Sequence, residues 1–198
     1  AGTSEAIYAF SANKEELWKL SGVNVTEQGT FALNGNTLYA TLKSKAGLVA
    51  VDITNGTKKW TYPTTGGDAY FPIVDKKGVV YFTEKGSQTV YAVDADGSKV
   101  WVKKVNNNLN YSGAVLSTDG VLYIGTQSNN KIFGLNTADG STVYEESVGQ
   151  QVMASVSIGP DKRLYCGTIG ASNIGSIKAF DINKTLETDS WSIRGGDI

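Results

Sequence analysis

The sequence contains few side chains that could carry out covalent or metal chemistry. It has no histidine and one cysteine, Cys166. A serine or cysteine nucleophile is normally activated by a nearby histidine, so its absence argues against both kinds of catalytic site. The sequence also lacks histidine as a nitrogen ligand for zinc, and a single thiol cannot form a cysteine cluster or an intramolecular disulfide. Cys166 lies in the run LYCGT, which favours a buried cysteine that packs as a small hydrophobic residue.

Carboxylates are the abundant reactive groups, since the chain has 19 Asp and Glu residues. Pairs of carboxylates can hydrolyse glycosides. Most of the acidic residues lie in expected turns, however, and solvated turn charges are the simpler interpretation for Glu15, Glu16, Asp75, Asp119 and Asp161. The segments DADG at 94–97 and TADG at 137–140 resemble parts of calcium loops but lack the other ligands of an EF-hand loop. They are interpreted as hairpin turns, and no metal site is predicted.

A second set of candidates could bind a ligand without reacting with it. These polar and aromatic side chains lie just before or within the first strand of each repeated unit, and they differ between repeats, as ligand-binding residues would: Gln28, Asp68, Tyr70, Asn110, Tyr111, Gln150 and Gln151. In folds where such strands surround a central channel, the preceding loops often carry the binding site. The alternative interpretation is that they are ordinary loop residues.

A repeat of 42 residues sets the positions of these side chains. The phrases LYAT, VYFT, LYIGT and LYCGT begin at Leu38, Val80, Leu122 and Leu164, 42 residues apart each time. A period in the forties that contains short β-rich segments is typical of a propeller blade. The sequence therefore predicts an all-β protein, a β-propeller with four-stranded antiparallel blades, about four of them in this chain.

Alternating apolar residues and DG or NG turns predict the strands within each unit, and no window shows helical periodicity. The best-defined predicted strands are 69–74, 79–83, 89–94 and 99–103, then 113–117, 121–126, 131–135 and 142–146, then 153–159, 163–168 and 175–181. The chain is treated as one domain, 1–198, with a partial blade at 7–20 and blades at about 25–62, 69–103, 111–147 and 152–198. The last blade lacks a typical fourth strand, although Trp191 could replace it.

This strand inventory does not fill a closed ring neatly. We therefore expect a partial ring that continues in a longer chain, or half of a ring shared by two copies, so that self-association is a possible property. The composition also argues against two other kinds of partner, nucleic acid and the membrane interior. The formal net charge is −1 and no run of Lys or Arg exceeds two, which argues against nucleic acid. No apolar stretch is long enough for a membrane-spanning helix.

A second phrase also recurs, for example AVDITNGTKKW at 50–60 and AVDADGSKVW at 92–101. Four aromatic residues share the position at its end: Trp18, Trp60, Trp101 and Tyr144. Because they recur with the repeat, we expect them to pack between blades rather than to bind a ligand. The phrase AVDITNGTKKW, with Ala50, Asp52, Gly56 and Trp60, resembles the tryptophan-docking motif of quinoprotein-like propellers, which contain PQQ-like repeats. A second copy ends at Trp101 and a degenerate one at Tyr144, so the likeness covers residues 7–181. The tail SWSIRGGD also resembles a W-x-x-x-G-x-D segment near an end of such propellers.

The resemblance implies one of two functions. Dehydrogenases of this family bind pyrroloquinoline quinone and calcium, and often use a vicinal cysteine pair that this chain lacks. Other members are non-catalytic, among them outer-membrane assembly lipoproteins, surface proteins and sensor domains. We therefore expect a non-enzymatic binding or assembly platform for protein or glycan, without a cofactor, in an exported bacterial-type protein of the periplasm or cell surface. The alternatives are part of a quinoprotein dehydrogenase whose catalytic residues lie outside this chain, with PQQ and calcium, and a pure spacer.

Overall fold

The computed structural model describes residues 1–26, 30–105, 109, 113–170 and 173–188. Within these residues the regular secondary structure consists of eighteen β-strands, arranged in five antiparallel sheets. The predicted all-β architecture is therefore confirmed. In this part of the chain no helix is long and apolar enough to cross a lipid bilayer.

The first sheet is a two-stranded N-terminal hairpin, made of β1 (Ala6–Phe10) and β2 (Glu16–Ser21). It lies in the predicted partial blade at 7–20, which matches the third and fourth strands of the repeat. An isolated bridge between Gly2 and Ile7 adds a short third element beside β1. The hairpin therefore corresponds to the third and fourth strands of a blade, and little of the first two strands is present in it.

Three complete four-stranded sheets follow, each with its strands in sequence order from the first strand to the fourth. Sheet 1 contains β3 (Phe31–Asn34), β4 (Thr37–Leu42), β5 (Gly47–Asp52) and β6 (Lys58–Tyr62). Sheet 2 contains β7 (Ala69–Val74), β8 (Val80–Glu84), β9 (Thr89–Val93) and β10 (Lys99–Lys104). Sheet 3 contains β11 (Val115–Leu116), β12 (Val121–Gly125), β13 (Lys131–Asn136) and β14 (Thr142–Ser147).

Sheet 4 departs from this plan in its first strand. It contains β15 (Gln151–Val152), β16 (Ser157–Ile158), β17 (Arg163–Ile169) and β18 (Gly175–Asp181), and both short strands pair with β17. A single strand over 153–159 is therefore wrong. The intervening residues turn towards sheet 3, where the N–H of Val156 donates to the carbonyl oxygen of Gly113 at 3.3 Å.

Residues 182–188, the described part of the segment after β18, do not turn back to add a fourth strand to sheet 4. They cross instead to sheet 3, where Leu186 forms a bridge with Ser117, and the N–H of Glu187 donates to Leu116 O at 3.0 Å. The N–H of Thr118 donates to Thr185 O at 2.9 Å. Residues 185–187 thus lie along the free edge of β11, and Trp191 is outside the described residues.

The sheets pack face to face in chain order, and an apolar cluster fills each junction between neighbours. At the junction of sheets 1 and 2, Tyr39 and Ala50 pack with Phe82 and Tyr91. The corresponding residues of sheets 2 and 3, Tyr81 and Tyr123, lie in the next two clusters. We call the side of a sheet that packs on the following sheet its leading face, and the opposite side its trailing face. Burial of both faces explains why third strands such as β9 are buried at every residue.

Candidate functional site

The segments that precede the first strands meet the turns between second and third strands at one rim of the sheets, which we call the upper rim. It comprises residues 43–46, 64–68, 85–88, 127–130 and 148–151. Backbone bonds join the two kinds of segment, for example from Lys45 N–H to Gly67 O at 3.1 Å and from Lys85 N–H to Asp68 O at 3.0 Å. Of the predicted ligand-binding residues in the described part of the chain, Asp68, Gln150 and Gln151 lie at this rim, and Tyr70 follows as the second residue of β7.

Asp68 and Tyr70 lie together on the upper rim, between sheets 1 and 2. The Tyr70 hydroxyl is 3.4 Å from Asp68 Oδ2, and the backbone N–H of Ser44 donates to Asp68 Oδ1 at 2.8 Å. Both side chains are half-buried. The pair therefore presents a carboxylate and an aromatic ring to solvent from an anchored loop.

A β-bulge sets the direction of the Tyr70 side chain. The register of β7 against β8 shifts between Tyr70 and Ile73, and Phe71 has a φ of 53°. Phe71 is 2% exposed, so its ring packs inside the protein while Tyr70 stays at the surface, with 5.7 Å between the two ring centroids. Bulges of this kind often re-aim a side chain beside a functional site. A positive φ at an aromatic residue is uncommon, and the tertiary packing here maintains it.

The loop below Asp68 is held by a buried carboxylate that the sequence analysis missed. Glu84 is 0% exposed, and its Oε1 accepts the backbone N–H groups of Gly66 and Gly67. Its Oε2 accepts the hydroxyls of Ser87 and Tyr91, each at 2.5 Å. A buried carboxylate is tolerated when its oxygens are fully hydrogen-bonded. The other repeats have an uncharged residue at this position, namely Leu42, Thr126 and Thr168. The single carboxylate at this position of the repeat was the sequence signal that could have identified Glu84.

Gln151 belongs to a separate part of the upper rim, between sheets 3 and 4. Its Oε1 lies 3.4 Å from Gln127 Nε2, and the neighbouring Gln150 Oε1 accepts the hydroxyls of Thr168 at 2.8 Å and Ser176 at 2.9 Å. These residues border a cleft of about 470 Å³ whose lining includes Ser128, Asn130, Gln150, Gln151 and Asn173. The cleft is polar and carries no charged side chain among its lining residues.

The structure therefore brings Asp68 and Tyr70 together but does not join them with Gln151. Three other predicted site residues, Gln28, Asn110 and Tyr111, lie outside the described residues. The predicted ligand-binding set thus divides into an anionic, aromatic pair at one junction and an amide-lined cleft two junctions away.

The opposite rim carries the tryptophans that recur with the repeat. The indole N–H of Trp18 donates to Ile53 O at 2.7 Å, that of Trp60 to Ala95 O at 2.9 Å, and that of Trp101 to Thr137 O at 2.8 Å. Each acceptor lies in the turn between the third and fourth strands of the following sheet. A glycine of the same turn lies under each indole, with positive φ in all three cases: Gly56, Gly97 and Gly140. Tyr144 takes the fourth position and packs with Tyr123, with ring centroids 5.5 Å apart.

Asp75 differs from its predicted role, and Glu187, for which the sequence made no prediction, lies near it. Asp75 is 7% exposed, so the prediction of a solvated turn charge is wrong for this residue. The reason is that its carboxylate accepts the Tyr81 hydroxyl at 3.0 Å and the backbone N–H groups of Lys77 and Val79 at 2.9 Å each. Asp75 borders a cleft of about 390 Å³, and so does Glu187, which is 6% exposed. Burial, and secondarily the nearby Asp75 charge, raises the pKa of Glu187.

Among the residues that the structure describes, neither Cys166 nor the acidic side chains form a recognisable reactive centre. Cys166 is 2% exposed, as the sequence predicts, and burial raises the pKa of its thiol, which disfavours the nucleophilic thiolate. Among the described residues, no group of three or more His, Cys, Asp or Glu side chains is arranged to hold a metal ion. The chemistry available on the upper rim is hydrogen bonding and aromatic contact.

Comparison with known proteins agrees with the architecture. A family model described as outer membrane protein assembly factor BamB matches residues 3–159. The crystal structure of BamB from Moraxella catarrhalis is similar at a TM-score of 0.75 and 16% identity, over 98% of this chain and 56% of that chain. No curated protein sequence matches significantly.

Two further solved structures share the fold. The computationally designed Ika8 protein matches at a TM-score of 0.73 and 14% identity, over 91% of this chain and 54% of that chain. A chain of the mitotic checkpoint complex matches at 0.69 and 16% identity, over 88% of this chain and 54% of that chain. This chain thus spans little more than half the length of these three solved chains. The structural matches confirm the predicted β-propeller fold, and the family model confirms the predicted family of PQQ-like repeats.

Proposed function

The chain belongs to the family described as outer membrane protein assembly factor BamB, and we propose that it is a non-enzymatic propeller segment that binds a protein partner through Asp68 and Tyr70 on its upper rim. The family description names an assembly factor, which favours a binding role over catalysis. The proposal includes a site of action outside the cytoplasm, at the bacterial cell surface or in the periplasm, which the same family description supports.

The main support is that the Asp68–Tyr70 pair is fixed before any partner arrives. Ser44 holds the carboxylate from one side, and Glu84 holds the adjoining Gly66–Gly67 backbone from the other. Pre-organised groups lose less conformational entropy on binding, and tyrosine is among the residues that contribute most at protein interfaces. The partner surface would offer hydrogen-bond donors to Asp68 and an apolar or aromatic side chain to Tyr70.

Site-specific photo-crosslinking tests the proposal. A photoreactive phenylalanine analogue is placed at position 70, or at position 96 as the control, because Asp96 lies in an exposed turn of the opposite rim. The probes are expressed in the bacterial envelope, and the adducts are identified by mass spectrometry. We expect a discrete protein adduct from position 70 that is lost with the additional Asp68→Asn substitution. The same adducts from both positions, or none from position 70, would overturn the proposal.

The cleft beside Gln151 favours a second candidate function, the binding of a neutral glycan. Amide and hydroxyl groups such as those of Asn130, Gln151 and Ser128 form the hydrogen bonds that sugar hydroxyls require, and a volume of about 470 Å³ can accommodate a short oligosaccharide. Titration calorimetry with neutral oligosaccharides, comparing the natural chain with Gln151→Ala, tests this candidate. Binding that is equal in the two proteins would exclude the cleft as the site.

Only the alternative function, part of a quinoprotein dehydrogenase, predicts that PQQ and calcium bind. Nothing in the described residues favours it, and the proposal above requires no cofactor.

A further inference from the structure

Two asparagines of sheet 1, Asn34 and Asn55, are followed directly by glycine. An asparagine side chain can lose its amide group when the backbone nitrogen of the next residue attacks the side-chain carbonyl carbon. Glycine favours this attack because it has no side chain to hinder the approach and few conformational restrictions. Both pairs lie in turns at the rim that carries the tryptophans, but the structure leaves the reacting groups of one pair free and holds those of the other.

The reacting groups of Asn34 and Gly35 are free. Asn34 is the last residue of β3, Gly35 begins the two-residue turn to β4, and both are exposed. Among the residues that the structure describes, none forms a hydrogen bond with the Asn34 side-chain amide or with the Gly35 backbone N–H. Gly35 has a φ of +52° and open space on the side where a Cβ would lie. The Gly35 nitrogen can therefore approach the Asn34 side chain without first breaking a hydrogen bond of either group.

The corresponding groups of Asn55 and Gly56 are held in place. Asn55 Oδ1 accepts the backbone N–H of Thr57 at 2.9 Å and its hydroxyl at 2.7 Å. The N–H of Gly56 donates to Asp52 O at 2.8 Å. Gly56 is buried, and a Cβ added to it would lie 2.7 Å from the Trp18 ring. Attack on the Asn55 side chain therefore requires this turn to open and to leave the indole.

We propose that Asn34 is a site of spontaneous deamidation in the folded chain and that Asn55 is protected from the same reaction. The Gly35 nitrogen forms a bond to the side-chain carbonyl carbon of Asn34, and the amide nitrogen leaves as ammonia with the proton of the Gly35 N–H. Water then opens the five-membered imide at one of its two carbonyl carbons, which gives aspartate or isoaspartate. Water is the only co-reactant. This modification is independent of partner binding at Asp68 and Tyr70.

The isoaspartate product would loosen the turn on which Trp18 docks. In isoaspartate the main chain passes through the former side chain and gains one methylene, so the connection between β3 and β4 changes shape. That connection includes Asn36, whose carbonyl oxygen accepts the N–H of Ile53 at 3.0 Å. The carbonyl oxygen of Ile53 in turn accepts the indole N–H of Trp18 at 2.7 Å. A change at Asn34 thus reaches the tryptophan contact through one hydrogen bond.

Peptide mapping by mass spectrometry, after incubation at mildly alkaline pH, tests the proposed site. In the folded chain Asn34 should deamidate about 10-fold or more faster than Asn55, because three hydrogen bonds hold the second pair. In concentrated urea the two rates should become similar, since both asparagines precede glycine. Thr57→Val removes one bond to Asn55 and should accelerate deamidation there, with no effect at Asn34. Equal rates in the folded chain, an Asn34 that reacts only in urea, or the same preference in urea would overturn the proposal.

Hydrogen exchange tests the structural consequence. Chains that contain isoaspartate at position 34 are separated by ion exchange, and the Ile53 amide should exchange faster in them than in the unmodified chain. The matched control is the amide of Thr137, which makes the equivalent bond to Gly120 O at 3.0 Å in sheet 3 and should not change. Asn34→Gln, incubated in the same way, should keep the slow exchange at Ile53. Unaltered exchange at Ile53 in the isoaspartate chains would contradict the link to the tryptophan contact.

Discussion

The indole N–H of Trp18 donates a hydrogen bond to the backbone carbonyl of Ile53, 35 residues later and in the next sheet. Trp60 and Trp101 repeat this contact with Ala95 and Thr137. Each indole therefore joins the fourth strand of one sheet to the last turn of the next. At Tyr144 the relationship stops, and sheet 4 has no return from β18 to a fourth strand among the described residues. The replacement of tryptophan by tyrosine thus coincides with the loss of the turn that would receive it.

Replacing Trp101 tests the energetic importance of these contacts. Trp101 is 6% exposed, so Trp101→Ala should lower the free energy of unfolding by about 3–5 kcal/mol. Trp101→Phe keeps most of the ring but leaves the Thr137 carbonyl unpaired, and should cost about 1–3 kcal/mol. Urea denaturation measures both changes, with Val143→Ala as an exposed control that should stay within about 0.5 kcal/mol. Equal stability of Trp101→Phe and the natural protein would show that the N–H bond is dispensable.

A pair of glycine substitutions separates backbone strain from contact with the indole. Gly140 has a φ of +72°, and an added Cβ would lie 2.8 Å from Trp101, whereas Gly22 has a φ of +76° and open space around it. Gly22→Ala should therefore cost about 1 kcal/mol for the left-handed backbone alone. Gly140→Ala should cost about 1–3 kcal/mol more, because the indole must move. Similar losses of unfolding free energy in the two variants would contradict close packing of Trp101 on this turn.

Glu84 should control the order of the loop that carries Asp68. Glu84→Gln places an amide N–H₂ against groups that are themselves donors, and should lower the free energy of unfolding by about 1–3 kcal/mol. Hydrogen exchange should accelerate at the amides of Gly66 and Gly67, and much less in sheet 3. Glu145→Gln, which removes an exposed ion pair with Lys131, is the control and should change stability by less than about 1 kcal/mol. Unaltered exchange at Gly66 and Gly67 in Glu84→Gln would disprove the role of the carboxylate.

The segment 185–187 should detach more readily as the pH rises. Burial and the adjacent Asp75 raise the pKa of Glu187, while the backbone N–H of Lys76 and the charges of Lys76 and Lys77 oppose the shift. Tyr81, Asp119 and Lys184 are the other titratable groups near this cleft.

The sign of the pH effect follows from the direction of this shift. The detached segment releases its proton at the ordinary pKa, and the packed segment keeps it to higher pH. The contribution of Glu187 to attachment is therefore complete below the ordinary pKa and is lost as the pH rises through the raised one. Hydrogen exchange at Thr118, whose N–H donates to Thr185 O, reports detachment once corrected for intrinsic exchange rates. Glu187→Gln should abolish the pH dependence, and a dependence that persists in this variant would assign it to another group.

The periodic features of the fold were predictable from the sequence, and the long-range ones were not. The repeat and its turn residues predict β7 and β18 at their observed bounds, and β10 to within one residue. The split of the first strand of sheet 4 and the return of residues 185–187 to β11 depend on contacts with sheet 3, which no local pattern encodes. Asp75 could not be predicted as buried either, because a turn carboxylate looks solvated until the backbone N–H groups and the Tyr81 hydroxyl surround it.

The candidate site was predictable only in part, for the same reason. Asp68 and Tyr70 could be selected as candidates because they lie at the start of a first strand, and they are close together because only one residue separates them in the sequence. The support by Ser44, in the turn between β4 and β5, and by Glu84, at the end of β8, appears only in the folded chain. A closer search for positions that break the repeat would have selected Glu84.

The most direct test of the binding role is the affinity of the protein captured from position 70, measured with purified components by interferometry. Tyr70→Ala and Asp68→Asn should each weaken this affinity by about 10- to 100-fold, as expected for residues near the centre of an interface. Both variants should keep the natural unfolding midpoint, and Asp96→Asn on the opposite rim should bind like the natural chain. Equal affinity of the natural chain, Tyr70→Ala and Asp68→Asn would contradict a binding surface at this rim.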